Sequence, residues 1–334
     1  MTDLSRRSLL RSAGAATLAA LATPALTGRA SAAQILTVAS LMATDKPETL
    51  IWGKIQEAAE AKLPGAFSFN VVANAALGAE KEVAQAAKLG SVQASLSTIS
   101  VMSAWVPETQ VFDLPFLFRD AAHLKAASEG DVGDALKQQL AAEGFVVPAF
   151  INYGARHLLT KTPVTEPAAL QGLKMRVIQS PLHTRLWSAY GANPVGIPIV
   201  ETYNALQTGV ADAMDLTKSA YAGFKLYEVV PHMTETAHIW ASGVVYFAAP
   251  FWASLADEQK VALAEAAVEG AAYFDELIVA DEVRSMEQAT AAGGEVHAMA
   301  DRAAWEDGAR PVWDDMAATV GGMDRIEAIQ SLPA

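Results

Sequence analysis

Along residues 170–215 the apolar and polar positions change period several times. Leu173, Met175 and Val177 share one face of an alternating run and Lys174 and Arg176 the other, so a half-buried strand is predicted after the turn at Gly172. From Pro181 the pattern is helical as far as Tyr190, and Gly191 closes it, because a left-handed C-cap costs glycine nothing. Residues 194–198 read as a short buried strand, 201–207 as a helix stopped at Gly209, and 210–214 as another strand. Strand, helix, strand, helix, strand is the unit of an open, mainly parallel sheet, in which ligands bind beyond the carboxyl ends of the strands. Arg176 and Asp215 both stand at such ends.

The first third repeats the theme. Strands are predicted at 35–40, 67–73 and 94–99, with a helix beginning near Pro47 and another running from Glu80 to Leu89, where Gly90 ends it. The apolar run 111–118 contains Pro115 and reads as a buried turn, because proline cannot stay in a central ladder. Residues 121–142 have the pattern of one amphipathic helix. Strands follow at 145–151, 234–240 and 243–249. A proline-free helical pattern then occupies 257–292, long enough for about 54 Å if continuous, with Ser254 and Asp257 offering an N-terminal capping arrangement. Two stacked helices broken near Gly270 are the alternative. A last helix is predicted at 301–319.

Composition narrows the class. The 334 residues suffice for two ordinary domains, and 52% hydrophobic against 18% charged residues describes a globular protein with a large core. Residues 1–32 carry Ser5-Arg6-Arg7-Ser8-Leu9-Leu10-Arg11, a weakly apolar stretch and Ala30-Ser31-Ala32, the layout of a twin-arginine (Tat) signal peptide with a small-x-small cleavage site. An amphipathic or anchoring helix is the alternative there, interrupted by Pro24 and Gly28. Loss of this segment removes four arginines and one aspartate, which takes the formal charge from −13 to −16. So acidic a mature protein is a poor partner for nucleic acid or an anionic membrane, and any anionic ligand must be held by a local cationic site. The chain has no cysteine, which excludes disulfides, thiolate metal sites and thiol nucleophiles.

Catalytic motifs are missing: there is no G-x-S-x-G, H-E-x-x-H, G-x-x-x-x-G-K-[ST] or G-x-G-x-x-G. The six histidines are scattered, and His232 and His238 lack ligand spacing, so no metal site and no cofactor is expected. Arg176 is the sharpest candidate. An arginine between apolar strand neighbours will be partly buried and then needs an anion, either a neighbouring carboxylate in a salt bridge or a ligand carboxylate gripped by its fork of donors.

The runs K-M-R, G-A-N-P and E-T-Y-N-A-L-Q-T-G-V-A-D, with L-G-A-E-K-E and V-F-D-L-P-F upstream, resemble the signature of substrate-binding proteins of TRAP (tripartite ATP-independent periplasmic) transporters, DctP-like. The resemblance implies a non-enzymatic, α/β, two-lobed periplasmic-binding-protein architecture with mixed sheets and a long helix spanning both lobes. It also implies an organic acid as ligand and membrane permease subunits as partners. The lobes would be 33–153 with 242–281, and 154–241 with 282–334. In the family the arginine of the K-x-R strand binds the ligand carboxylate, a role that falls to Arg176, and the G-x-R arginine that helps it corresponds to Arg156. Where many members have Glu-Asn-Pro, this chain has Asp215-Leu216-Thr217; the acid is kept, an amide is lost, and a more apolar surface beside the ligand is implied. Thr98 falls where some relatives place a ligand-contacting acid, and Gln179 and His238 fall near family pocket positions. Trp187, Trp240 and Trp252 are further candidates for a pocket wall, though Trp187, on a helix, is better suited to the core. The alternatives are a binding protein of an ABC importer or sensor, which should lack the E-x-Y-x-A-L-Q run, and a Tat-exported cofactor enzyme.

Overall fold

Nine strands join in one mixed sheet in the computed structural model, which describes residues 33–333. The signal expected at 1–32 lies outside the described residues. The strands are β1 (Gln34–Ala39), β2 (Phe67–Val72), β3 (Ala94–Thr98), β4 (Phe145–Thr160), β5 (Lys174–Val177), β6 (Asn193–Gly196), β7 (Ala213–Thr217), β8 (His232–Ala248) and β9 (Glu295–His297). Their order is β2-β1-β3-β8-β4-β7-β5-β6, with β9 added beside β8.

The pairing directions place the site. β1, β2 and β3 are mutually parallel and run against β8, whereas β5, β6 and β7 are mutually parallel and run against β4. Since β4 and β8 are antiparallel, the two parallel sets point in opposite directions. The last residue of β3, Thr98, lies opposite Gly243 of β8; the last of β7, Thr217, lies opposite Arg156 of β4, itself opposite Ile239 of β8. The carboxyl ends of the two sets therefore face each other across the middle of β4 and β8. This is the two-lobed mixed α/β architecture expected, with one unbroken sheet running through both halves.

Several elements differ from the sequence reading. β8 is one strand of 17 residues where two were expected, and β4 continues to Thr160, well past residue 151. The alternation of β4 ends at Tyr153, after which every position is buried; with both faces covered, the period-two signal disappears. A register irregularity at Asn152/Gly154, with Gly154 at φ 91°, marks the change. Residues 121–142 form two helices, Ala121–Ser128 and Asp131–Ala142, separated at Gly130. β6 is a partly exposed edge strand and not a buried one, and β7 begins at Ala213, not at 210.

The long helix is continuous over Asp257–Ala291, 35 residues and about 52 Å. Gly270 does not break it. A Cβ there would stand 2.4 Å from Ile55 Cγ1, so the glycine lets the helix Pro47–Lys62 pack close. The N-cap is Ala256, whose amide is held by the Gln259 side chain; Ser254 bonds back to Phe251 O instead of capping. Further along, the buried Asp281 accepts from Lys46 Nζ at 3.1 Å and Ser219 Oγ at 2.6 Å, tying this helix to segments before the helix Pro47–Lys62 and after β7. No helix among the described residues is long and apolar enough to cross a membrane.

Candidate functional site

Where the opposed carboxyl ends meet there is a cleft with a cavity volume of about 100 Å³, room for more than a single water. Its walls come from the ends of β1, β3, β5, β6 and β7 and from the middle of β4. Arg176, Arg156, Thr98, Gln179 and Leu216 all line it. Asp215 and His238 do not; they are buried behind the wall.

The two arginines differ in what they touch. Arg156 Nε donates to Asp215 Oδ2 at 2.5 Å, and its Nη2 donates to the Asp215 backbone carbonyl at 2.8 Å. Burial alone would raise the Asp215 carboxyl, but the Arg156 guanidinium and the His238 ring, 3.3 Å from Oδ2, hold it well below the usual carboxylate range. His238 is fixed in turn by Thr236 Oγ1 at 2.7 Å from Nδ1 and by the edge of Trp187. Burial keeps His238 below its ordinary pKa despite the carboxylate.

Arg176 is only 2% exposed and forms no salt bridge among the described residues. Its Nε donates to Ile197 O at 2.9 Å, while Nη1 is buried with no hydrogen-bond partner among the described residues. Desolvation, with the nearby Arg156 charge, pulls its pKa down to about 10, against the attraction of Asp215 and Glu80. A buried guanidinium N–H without an acceptor costs free energy that an anion in the cleft would recover. Thr98 Oγ1 is likewise buried and unpartnered there.

Three further cleft residues escaped the sequence reading. Glu80, at the start of the helix Glu80–Lys88, accepts from the Thr98 amide at 2.6 Å and from Ser97 Oγ at 3.4 Å, and burial raises its pKa. Glu48 is pushed up to about 7, mainly by burial. Tyr153 contributes a buried phenol. Glu80 sits in the L-G-A-E-K-E run, a signal available for it; Glu48 has none beyond the first turn of an ordinary helix. None of Trp187, Trp240 and Trp252 lines the cleft, and Trp187 is core.

The chain matches the family model DctP, bacterial extracellular solute-binding protein, family 7, over residues 38–319. It is similar to the C4-dicarboxylate-binding periplasmic protein DctP of Rhodobacter capsulatus, at 31% identity over 99% of both chains. Among solved structures it resembles a TRAP periplasmic solute-binding protein from a Bradyrhizobium species in complex with galacturonate (TM-score 0.86, 29% identity, 90% of this chain and 100% of that one). It also resembles one from Shewanella oneidensis with bound succinate (TM-score 0.85, 28% identity, 90% and 99%).

Proposed function

Since this chain belongs to the DctP family of bacterial extracellular solute-binding proteins, we propose that it captures an organic acid in the cleft between its lobes and delivers it to TRAP membrane permease subunits in the periplasm. Arg176 is the seat of the ligand carboxylate. The observation that carries this is its buried Nη1, which has no partner among the described residues, on a side chain that lines the cleft. A carboxylate there completes a charge-assisted pair in a site shielded from water. Arg156 keeps its own carboxylate in Asp215 and lends the cleft positive charge, while Thr98 and Gln179 supply neutral polar contacts. Asp215 and His238 act from behind, by holding Arg156.

The matched relatives are named for or bound to C4-dicarboxylates, galacturonate and succinate, which share the carboxylate and differ beyond it. In this chain Leu216, Ile178 and Ile197 give the wall beside Arg176 an apolar stretch. No step of bond chemistry is assigned to the site: its arginines, carboxylates and neutral polar groups serve capture and release. The lobes are 33–153 with 242–281, and 154–241 with 282–334, hinged where β4 changes register at Asn152/Gly154. Closure excludes water and strengthens each bond to the ligand.

Native mass spectrometry of protein purified without denaturation tests the reading, with a co-purified small acid as the expected result. A panel of mono- and dicarboxylates then identifies the ligand by calorimetry; failure of every acid to bind contradicts it. Export by the Tat route, which rests on Arg6 and Arg7, is tested by changing both to lysine. Unprocessed precursor should then remain in the cytoplasm.

A further inference from the structure

Outside the main strand order, the short strand β9 lies parallel to the first residues of β8, with His232 opposite Glu295 and Thr234 opposite His297. Glu295 and His297 are two residues apart on one strand and so share a face, which the pairing brings against His232. His232 Nδ1 stands 3.1 Å from His297 Nε2 and 3.6 Å from Glu295 Oε2, and His297 Nε2 stands 3.8 Å from the same Oε2. Three potential ligand atoms thus form a small, nearly equilateral triangle.

We propose that His232, Glu295 and His297 form a binding site for a divalent transition-metal ion, with Zn²⁺ best suited to the set. Zn²⁺ binds imidazole nitrogen and carboxylate oxygen at about 2.0–2.2 Å in tetrahedral geometry, which sets neighbouring ligand atoms about 3.3–3.6 Å apart. The three separations bracket that edge, so small side-chain rotations complete the site. Two imidazoles and one carboxylate match Zn²⁺ and its first-row neighbours and not Ca²⁺ or Mg²⁺, which prefer all-oxygen shells. The fourth position stays open to water. Exposure is also suitable: the side chains of His232 and His297 are 14% and 22% exposed and that of Glu295 61%, so an ion can reach them. The other histidines, His123, His157, His183 and His238, are all buried, which makes this pair the accessible imidazoles of the described chain.

The backbone holds the triangle in place. The Glu295 amide donates to Pro231 O at 2.8 Å, next to His232, so the two strands are pinned where the ligands lie. Since β9 follows the long helix directly, a bound ion would staple the segment after that helix to β8. None of the three residues lines the cleft, and the site stands independently of the ligand proposed there. His232 pairs with His297 here, not with His238, the neighbour it has in sequence.

The experiment uses full-length mature protein without a histidine tag, stripped with chelator and titrated with ZnCl₂ by calorimetry. One equivalent should bind, and CoCl₂ in its place should give the visible absorption of four-coordinate Co²⁺. His297→Ala and His232→Ala should each weaken binding by at least about tenfold, since even supporting residues around a metal cost that much. Glu295→Gln keeps the shape, sits on the surface and leaves the fold intact, and it should weaken Zn²⁺ binding while the metal-free melting temperature stays unchanged. No saturable binding, or affinity unchanged from wild type in Glu295→Gln and His297→Ala, overturns the proposal and leaves the three residues as a hydrogen-bonded surface cluster.

Discussion

Arg156 and Asp215 form a buried ion pair with two bonds, Nε to Oδ2 at 2.5 Å and Nη2 to the backbone carbonyl at 2.8 Å. Arg176 lies on the next strand but one and has no such partner among the described residues. Two buried arginines thus share one neighbourhood, and the local carboxylate goes to Arg156. On the function proposed above, Arg156 serves the fold and Arg176 is kept for the ligand.

Removal of Asp215 should therefore be felt before any ligand is added. Asp215→Ala strands the Arg156 charge in the interior and should lower the unfolding free energy of ligand-free protein by about 3–5 kcal/mol. Denaturant unfolding measures it; a loss below about 1 kcal/mol would show that Arg156 finds another partner or water.

Glu48 makes stability pH-dependent. Its folded pKa of about 7 lies above the ordinary 4.5, so the native state keeps a proton that the unfolded chain releases between those values. The burial penalty is absent below pH 4.5, grows as pH rises and is complete above 7. Glu48→Gln removes the charge and keeps the shape, so at pH 8 it should be more stable than wild type by on the order of 2 kcal/mol. That margin should shrink steadily toward pH 5. Melting curves at the two pH values read it directly, and a margin that stays constant contradicts a buried, proton-holding Glu48.

Close packing at Gly270 gives a third expectation. Gly270→Val places atoms where Ile55 Cγ1 would lie 2.4 Å from the new Cβ. Overpacking costs about 1–3 kcal/mol and should outweigh the few tenths gained in helix propensity over glycine. Stability equal to wild type would mean the two helices part easily.

Lobe closure should show in solution scattering. A saturating acid should reduce the radius of gyration while helix content by circular dichroism stays constant, as hinge motion about β4 and β8 requires. Superimposable curves with and without ligand would exclude a hinge.

Much of the architecture was legible because strand and helix periods alternate through 33–99 and 170–217. The two longest strands were legible only in part. The second half of β4 is covered on both faces, and without a solvent side there is no alternation to read, whereas both halves of β8 were read but as separate strands at 234–240 and 243–249. The break at Gly130 was hidden because both flanking helices keep an apolar face. Arg176 stood out since a charged residue between Met175 and Val177 demands an anion. The partner of Arg156 was not readable, because Asp215 comes from a strand 59 residues later. Glu48 reaches the cleft through tertiary packing alone, and His232 meets His297 across 65 residues by the β8–β9 pairing.

The most direct measurement is calorimetric titration of Arg176→Met with the identified acid, beside ligand-free melting of the same variant. Methionine keeps the apolar stem and deletes the charge. Loss of one member of a buried charged pair costs about 2–5 kcal/mol, so affinity should fall by roughly 30-fold to several-thousand-fold. Arg176→Lys should recover only part of this, since an ammonium cannot form the fork. The ligand-free melting temperature of Arg176→Met should stay at or above that of wild type, because an unpaired buried N–H is removed. Binding within about threefold of wild type, less than 1 kcal/mol, together with a sharp fall in melting temperature, would contradict Arg176 as the carboxylate seat.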